Sequence, residues 1–167
     1  MRRRAAVVAC AVLLWPMTVL ASDVVVEVHQ AISGNALWYR VGTVDVEAKT
    51  IRWGKSHEYD IWQTPMVDTD GQVAVEVHQG HDDTDLWYRV GSLDPEMKTI
   101  RWGKSHKYDR GRIPTVALQG KVVIEVHQSH TGSNLWYHVG ILDMDTKTIA
   151  WGSSAKYDRG NLPSIGY

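Results

Sequence analysis

The chain has 167 residues, with 18 Lys and Arg against 19 Asp and Glu, a formal net charge of −1 and a mean hydropathy of −0.27. A near-neutral chain with no basic run beyond its first four residues is not built to hold nucleic acid by charge, so nucleic acid is not expected as a partner. Its single cysteine, Cys10, excludes an internal disulfide and a thiolate metal site.

At the N-terminus, Arg2, Arg3 and Arg4 precede an apolar stretch over residues 5–20 that ends at Ala21 and Ser22. This is the layout of a secretory signal peptide over residues 1–22, shorter than the roughly 20 apolar residues of a membrane-spanning helix. Its removal takes away Cys10 and three of the 18 basic residues, leaving 15 against 19 acidic ones, a net charge of −4. The expected destination is the periplasm or the exterior. No later stretch is apolar for long enough to form a stable membrane span. Residues 23–167 are enough for one domain with a sizeable core.

From Val24 onward one module is written three times at a spacing of 49 residues, with repeats at about 23–71, 72–120 and 121–167. The phrases VEVHQ, VEVHQ and IEVHQ recur, then LWYRVG, LWYRVG and LWYHVG, then KTIRWG, KTIRWG and KTIAWG. A period of this size belongs to propellers, solenoids or three-fold barrels. In the third copy, KVVIEVHQ alternates as a strand, with Val122, Ile124 and Val126 on one face and Val123, Glu125 and His127 on the other. Residues 129–134 make a polar turn, LWYHVG returns as a second strand, and Thr148, Ile149 and Ala150 open a third. The earlier phrase Ile113-Pro114-Thr115-Val116-Ala117-Leu118 reads as a further short strand, and Tyr59-Asp60, Tyr108-Asp109 and Tyr157-Asp158 as corners in which Asp caps turn amides. The fold expected is all-β, with three four-stranded propeller-type blades. The closing phrase Pro163-Ser164-Ile165 would complete the sheet that Val24 begins. A β-trefoil, which also has three repeats of four strands, is the alternative.

The run P-x-V-A-L, a Val-rich strand, L-W-Y-R and then W-G resembles the blades of bacterial and fungal β-propeller lectins, including tectonin-like and fucose-binding types. That resemblance implies a secreted, non-enzymatic, carbohydrate-binding protein with glycans as partners, and two chains sharing one six-bladed ring as a homodimer. The alternatives are a protein-interaction scaffold and a propeller-type glycosidase. Repeated near-copies argue against one unique catalytic centre, so no catalytic residues, cofactor or metal are expected.

With the hairpin turn placed within residues 31–36, Glu27 falls opposite Arg40 and His29 opposite Trp38. The second copy repeats this as Glu76 with Arg89 and His78 with Trp87. The third has Glu125, Trp136 and, in place of arginine, His138. A carboxylate, a guanidinium and an indole on one patch suit a sugar, since charged groups take hydroxyls and the ring covers a C–H face. The same groups also suit a buried ion pair between modules, in which case His138 would have to satisfy Glu125. Trp62, which has no counterpart in the other copies, is either a ligand platform or a chain contact. His29, His78 and His127 would meet on an axis and bind a metal only in a trefoil. Adjacent Ser and His, as at Ser105-His106, do not make a nucleophile pair.

Overall fold

A computed structural model describes residues 24–81 and 84–167; the expected signal peptide lies outside them. Among the described residues there are fourteen strands and no helix, in three antiparallel sheets, none closed into a barrel. The first sheet holds β1 (Val24–Gln30), β2 (Ala36–Asp45), β3 (Thr50–Trp53) and β4 (His57–Ile61). The second holds β5 (Gln63–Thr69), β6 (Val73–Gln79), β7 (Asp85–Asp94), β8 (Thr99–Trp102) and β9 (His106–Arg110). The third repeats it with β10 (Arg112–Gln119), β11 (Val122–Gln128), β12 (Asn134–Asp143), β13 (Thr148–Trp151) and β14 (Ala155–Arg159).

Local chemistry sets these boundaries. β-Branched residues alternate through β1, β6 and β11, which favours extended backbone. The turn after β2 is tied by Asp45 Oδ1, which accepts from the Ala48 amide at 3.0 Å, and Asp94 does the same for Met97 at 2.9 Å. The residue before the next strand then turns left-handed: Lys49, Lys98 and Lys147 have φ of 54°, 54° and 53°. In LWYRVG the final glycine is required by close approach. A Cβ on Gly91 would stand 2.3 Å from Ile100 Cγ2 and 2.8 Å from Trp102 Cε3, so both side chains lie flat on β7.

Two features differ from the sequence expectation. The outer strand of each sheet comes in two pieces: β13 pairs with residues 140–143 of β12, and β14 with residues 134–137. The Tyr-Asp pairs expected at corners therefore lie inside strands β4, β9 and β14, although Asp60, Asp109 and Asp158 each still accept the amide of the following residue. In addition, Pro163-Ser164-Ile165 forms no strand, and among the described residues nothing pairs with the free edge of β1.

The core lies between the sheets. Val75, Val77, Tyr88 and Val90 of the second sheet pack with Val116, Leu118, Val123, Leu142 and Ile149 of the third. Tyr39 and Val41 of the first pack with Ala74 and Ile100 of the second. Burial of such side chains is worth roughly 1.5–3 kcal/mol each, so the junctions carry most of the apolar stabilisation.

Candidate functional site

The expected pairing across the hairpin is present: Glu27 faces Arg40 and His29 faces Trp38, Glu76 faces Arg89 and His78 faces Trp87, Glu125 faces His138 and His127 faces Trp136. The contacts of the charged groups are different from those expected. Each carboxylate takes the imidazole two residues along its own strand, on the same face. The Nδ1–carboxylate distance is 2.9 Å in His29–Glu27, 2.9 Å in His78–Glu76 and 3.0 Å in His127–Glu125. Glu76 and Glu125 are fully buried, whereas Glu27 is partly open to solvent.

The preceding sheet supplies the second partner. Tyr59 on β4 donates its hydroxyl to Glu76 Oε1 at 3.0 Å. Burial first, and then the charge of Glu76, raise the Tyr59 pKa far above its ordinary value, which keeps it a neutral donor. Tyr108 on β9 faces Glu125 without reaching hydrogen-bond alignment, and its pKa is likewise raised by burial and then by Glu125. Arg89 does not join Glu76. Its Nε lies 3.1 Å from Asp60 Oδ2, as an ion pair off hydrogen-bond alignment, and Nη1 donates to the Tyr59 carbonyl. The long guanidinium reaches past the buried carboxylate to a charge at the edge of the neighbouring sheet.

His138 takes the same path in the third sheet, so the expected His138–Glu125 partnership is corrected to His138–Asp109. His138 Nε2 donates to Asp109 Oδ2 at 2.7 Å and Nδ1 donates to the Gly152 carbonyl at 3.0 Å. A carbonyl and a carboxylate only accept, and a neutral imidazole has one N–H. With both bonds made, His138 is the imidazolium, a titratable stand-in for arginine. Burial opposes that charge, but the hydrogen bonds to Asp109 and Gly152 and the carboxylates of Glu125 and Asp109 outweigh it and raise the His138 pKa. Burial also works against the Asp109 carboxylate, and the bonds from His138 and the Arg110 amide overcome it and lower its pKa.

The junctions between the sheets differ in access. Between the first and second, Trp62 lies flat over His78 and Trp87, at ring separations of 6.3 and 6.1 Å and plane angles of 9° and 8°. Within this chain Trp62 covers that junction, which tests neither the ligand platform nor the chain contact expected of it. His78 is 0% exposed there, with Nε2 buried and unpartnered. One repeat later Gly111 stands in place of Trp62 and packs directly on the ring of His127, where a Cβ would come within 2.4 Å of Cδ2; beside it lies a pocket of about 250 Å³, at which His127 is itself 1% exposed. Asp109, Arg110, His127, Ser129, His130, Trp136 and Ser154 line it. His127 Nε2 is 3.7 Å from Asp109 Oδ2, too long for a direct hydrogen bond, and the two atoms flank one corner.

Of the residues expected at the site, only Trp136 lines this pocket; Glu125 and His138 stand behind it, as supports for His127 and Asp109. Trp87 is under Trp62, while Glu27, Trp38 and Arg40 belong to the outer face of the first sheet. Sequence reasoning read Asp109 only as a cap for turn amides, passed over Ser154, and weighed His127 only as a metal ligand. The available signal was the placement of Glu125 and His127 on one face of the same strand. Among the described residues no three His, Cys, Asp or Glu are grouped to hold a metal ion.

No protein-family profile matches the chain, and no curated protein matches it. A solved structure from Bacteroides fragilis, provisionally named a 6-phosphogluconolactonase, matches with a TM-score of 0.58 at 17% identity. The match covers 85% of this chain and 38% of that one, so the chain spans well under half of its neighbour's length. At this identity the likeness is one of fold. It corrects the lectin resemblance, with its carbohydrate-binding reading and the expectation of a protein without enzymatic activity: a solved structure of this fold carries the provisional name of a lactone hydrolase, not of a lectin.

Proposed function

We propose that the three sheets are propeller blades and that the pocket between the second and third is the active site of a hydrolase for small esters or lactones. The observation that carries this is a histidine whose Nδ1 is held by a fully buried carboxylate, Glu125, while its ring, 1% exposed, forms part of the wall of a pocket. A carboxylate that fixes the tautomer and orientation of an imidazole is how proteins prepare a general base. The flat lid over the equivalent His78 and the open pocket at His127 also supply the uniqueness that repeated modules otherwise lack.

In this reading a water in the corner between His127 and Asp109 attacks the carbonyl carbon of the substrate. Its proton passes to His127 Nε2. The tetrahedral intermediate collapses with rupture of the C–O bond, and the proton on His127 moves to the departing alkoxide, giving a hydroxy acid. Ser129 and Ser154 offer hydroxyl donors to the substrate, and Arg110 at the rim offers a positive charge for an anionic substituent. The name of the solved neighbour makes phosphorylated sugar lactones the first substrates to try.

The test is a pH-stat assay of the purified protein on simple δ- and γ-lactones, 6-phosphogluconolactone and short-chain esters. His127→Gln keeps an N–H for Glu125 and is expected to lower kcat/KM by about 10²–10⁴-fold with the fold unchanged by circular dichroism. No hydrolysis of any of these by folded protein, or full activity in His127→Gln, would overturn the assignment.

A further inference from the structure

The two outer faces of the three-sheet stack carry complementary halves of the junction that its inner faces make twice. At the two inner junctions, the same five contacts recur one repeat apart. Tyr59 faces Glu76, and Tyr108 faces Glu125. Asp60 pairs with Arg89, and Asp109 with His138. Tyr59 stacks on Trp102 at 5.2 Å, and Tyr108 on Trp151 at 5.3 Å. The Ile100 amide donates to the Tyr39 hydroxyl at 3.1 Å, and the Ile149 amide to Tyr88 at 3.1 Å. Finally, Lys98 donates to the Arg52 carbonyl and Lys147 to that of Arg101.

The next members of each series are Tyr157 and Glu27, Asp158 and Arg40, Tyr157 and Trp53, Tyr137 and Ile51, and Lys49 with the Ala150 carbonyl. Every one has the required side chain, and within one chain they stand on opposite outer faces. They are also left open. Ile51 is 40% exposed where Ile100 and Ile149 are each 6% exposed, and Trp53 and Tyr157 are 38% and 48% exposed. Among the described residues neither Arg40 nor Asp158 has an ion-pair partner.

The C-terminal segment points the same way. Leu162 has φ of 54°, matching Thr64 at 50° and Ile113 at 55°, the residues that turn the chain into β5 and β10. Ser164 and Ile165 line one pocket of about 270 Å³ together with Ile124, Val126, Tyr137 and Tyr157. That is the place Val116 of β10 takes against Val75, Val77, Tyr88 and Tyr108 one repeat earlier. The segment is thus set where an inner strand of a following sheet belongs, beside no strand of its own chain, while β1 has an open edge.

We propose that a second copy of this chain docks head to tail. The partner's Pro163-Ser164-Ile165 pairs with β1, and the partner's Asp158 meets Arg40. Rings of this architecture close with four to eight blades. Three sheets are too few and nine too many, so copies of three close as two chains. The partner also completes a second pocket, in which the partner's Asp158 and the partner's Arg159 face His29, Trp38 and Ser56. Gly160 stands where Trp62 does, as Gly111 does in the second repeat. This inference rests on the blade reading but not on the hydrolase chemistry.

The test is the mass of the purified protein by light scattering at micromolar concentration, expected at two chains. Asp158→Arg and Arg40→Asp alone are each expected to weaken association at least roughly a hundredfold, and the double variant to restore it. Circular dichroism checks that each variant folds. A wild-type monomer, an open-ended filament, or charge reversals that leave the dimer intact would each overturn the pairing. Hydrolysis by an obligate monomer would overturn it and leave the proposed function standing.

Discussion

Replacing Glu76 by alanine is expected to lower stability by about 2–6 kcal/mol, about 1–3 kcal/mol for each of the two buried donors it leaves unsatisfied. Glu76 is 0% exposed and is the acceptor for both His78 Nδ1 and the Tyr59 hydroxyl. His78 Nε2 already has no partner, so the variant strands both ring nitrogens and a phenol hydroxyl away from water. The equivalent change at Glu27 in the dissociated chain is expected to cost about 1 kcal/mol or less, because that pair is open to solvent. Urea unfolding of the two variants measures the difference. Equal losses would mean that burial does not set the value of the dyad.

The second large effect is on pH dependence. His138 has its pKa raised from 6.5 in the folded chain, so its contribution is complete below pH 6.5 and is lost as pH rises through the folded value. Asp109 has its pKa lowered from 3.8, so its contribution is complete above pH 3.8 and is lost as pH falls through the folded value. The pair is therefore whole between pH 3.8 and pH 6.5. Above that window the parent is expected to lose about 1.5–3 kcal/mol, the worth of hydrogen bonds to charged groups. His138→Arg restores the chemistry of Arg89 and should remove that alkaline loss, so that the difference between variant and parent grows as pH rises above 6.5. The groups around His138 that also titrate are Asp109, Glu125, His127 and Tyr108, and the comparison of two chains sharing them isolates residue 138. A difference that stays flat with pH would show that His138 is not the titrating group.

The fold was largely legible because its strongest signals are local. Alternation in VEVHQ and the polar turn that follows fix which residues face each other, and the register of Glu27 with Arg40 needed nothing else. The partners of those residues were not legible. Asp109 meets His138 across 29 positions of chain and a sheet boundary, and no pattern within one module shows which neighbour a long side chain will reach. The two-piece outer strand escaped for a related reason: β13 and β14 share β12 along different halves, a consequence of that strand's ten-residue length. Trp62, which Gly111 replaces one repeat later, reads as loop variation until its stacking on His78 is seen.

The placement of the apolar clusters between sheets rather than within them has a further consequence. In an open stack three repeats share two such seams, whereas a closed circle of six would have six, one per repeat instead of two for every three. Cohesion in such a molecule grows with closure rather than with length. A lone repeat would keep its hydrogen-bonded ladder yet lack a wall to bury its valines against, and so would hold together poorly alone.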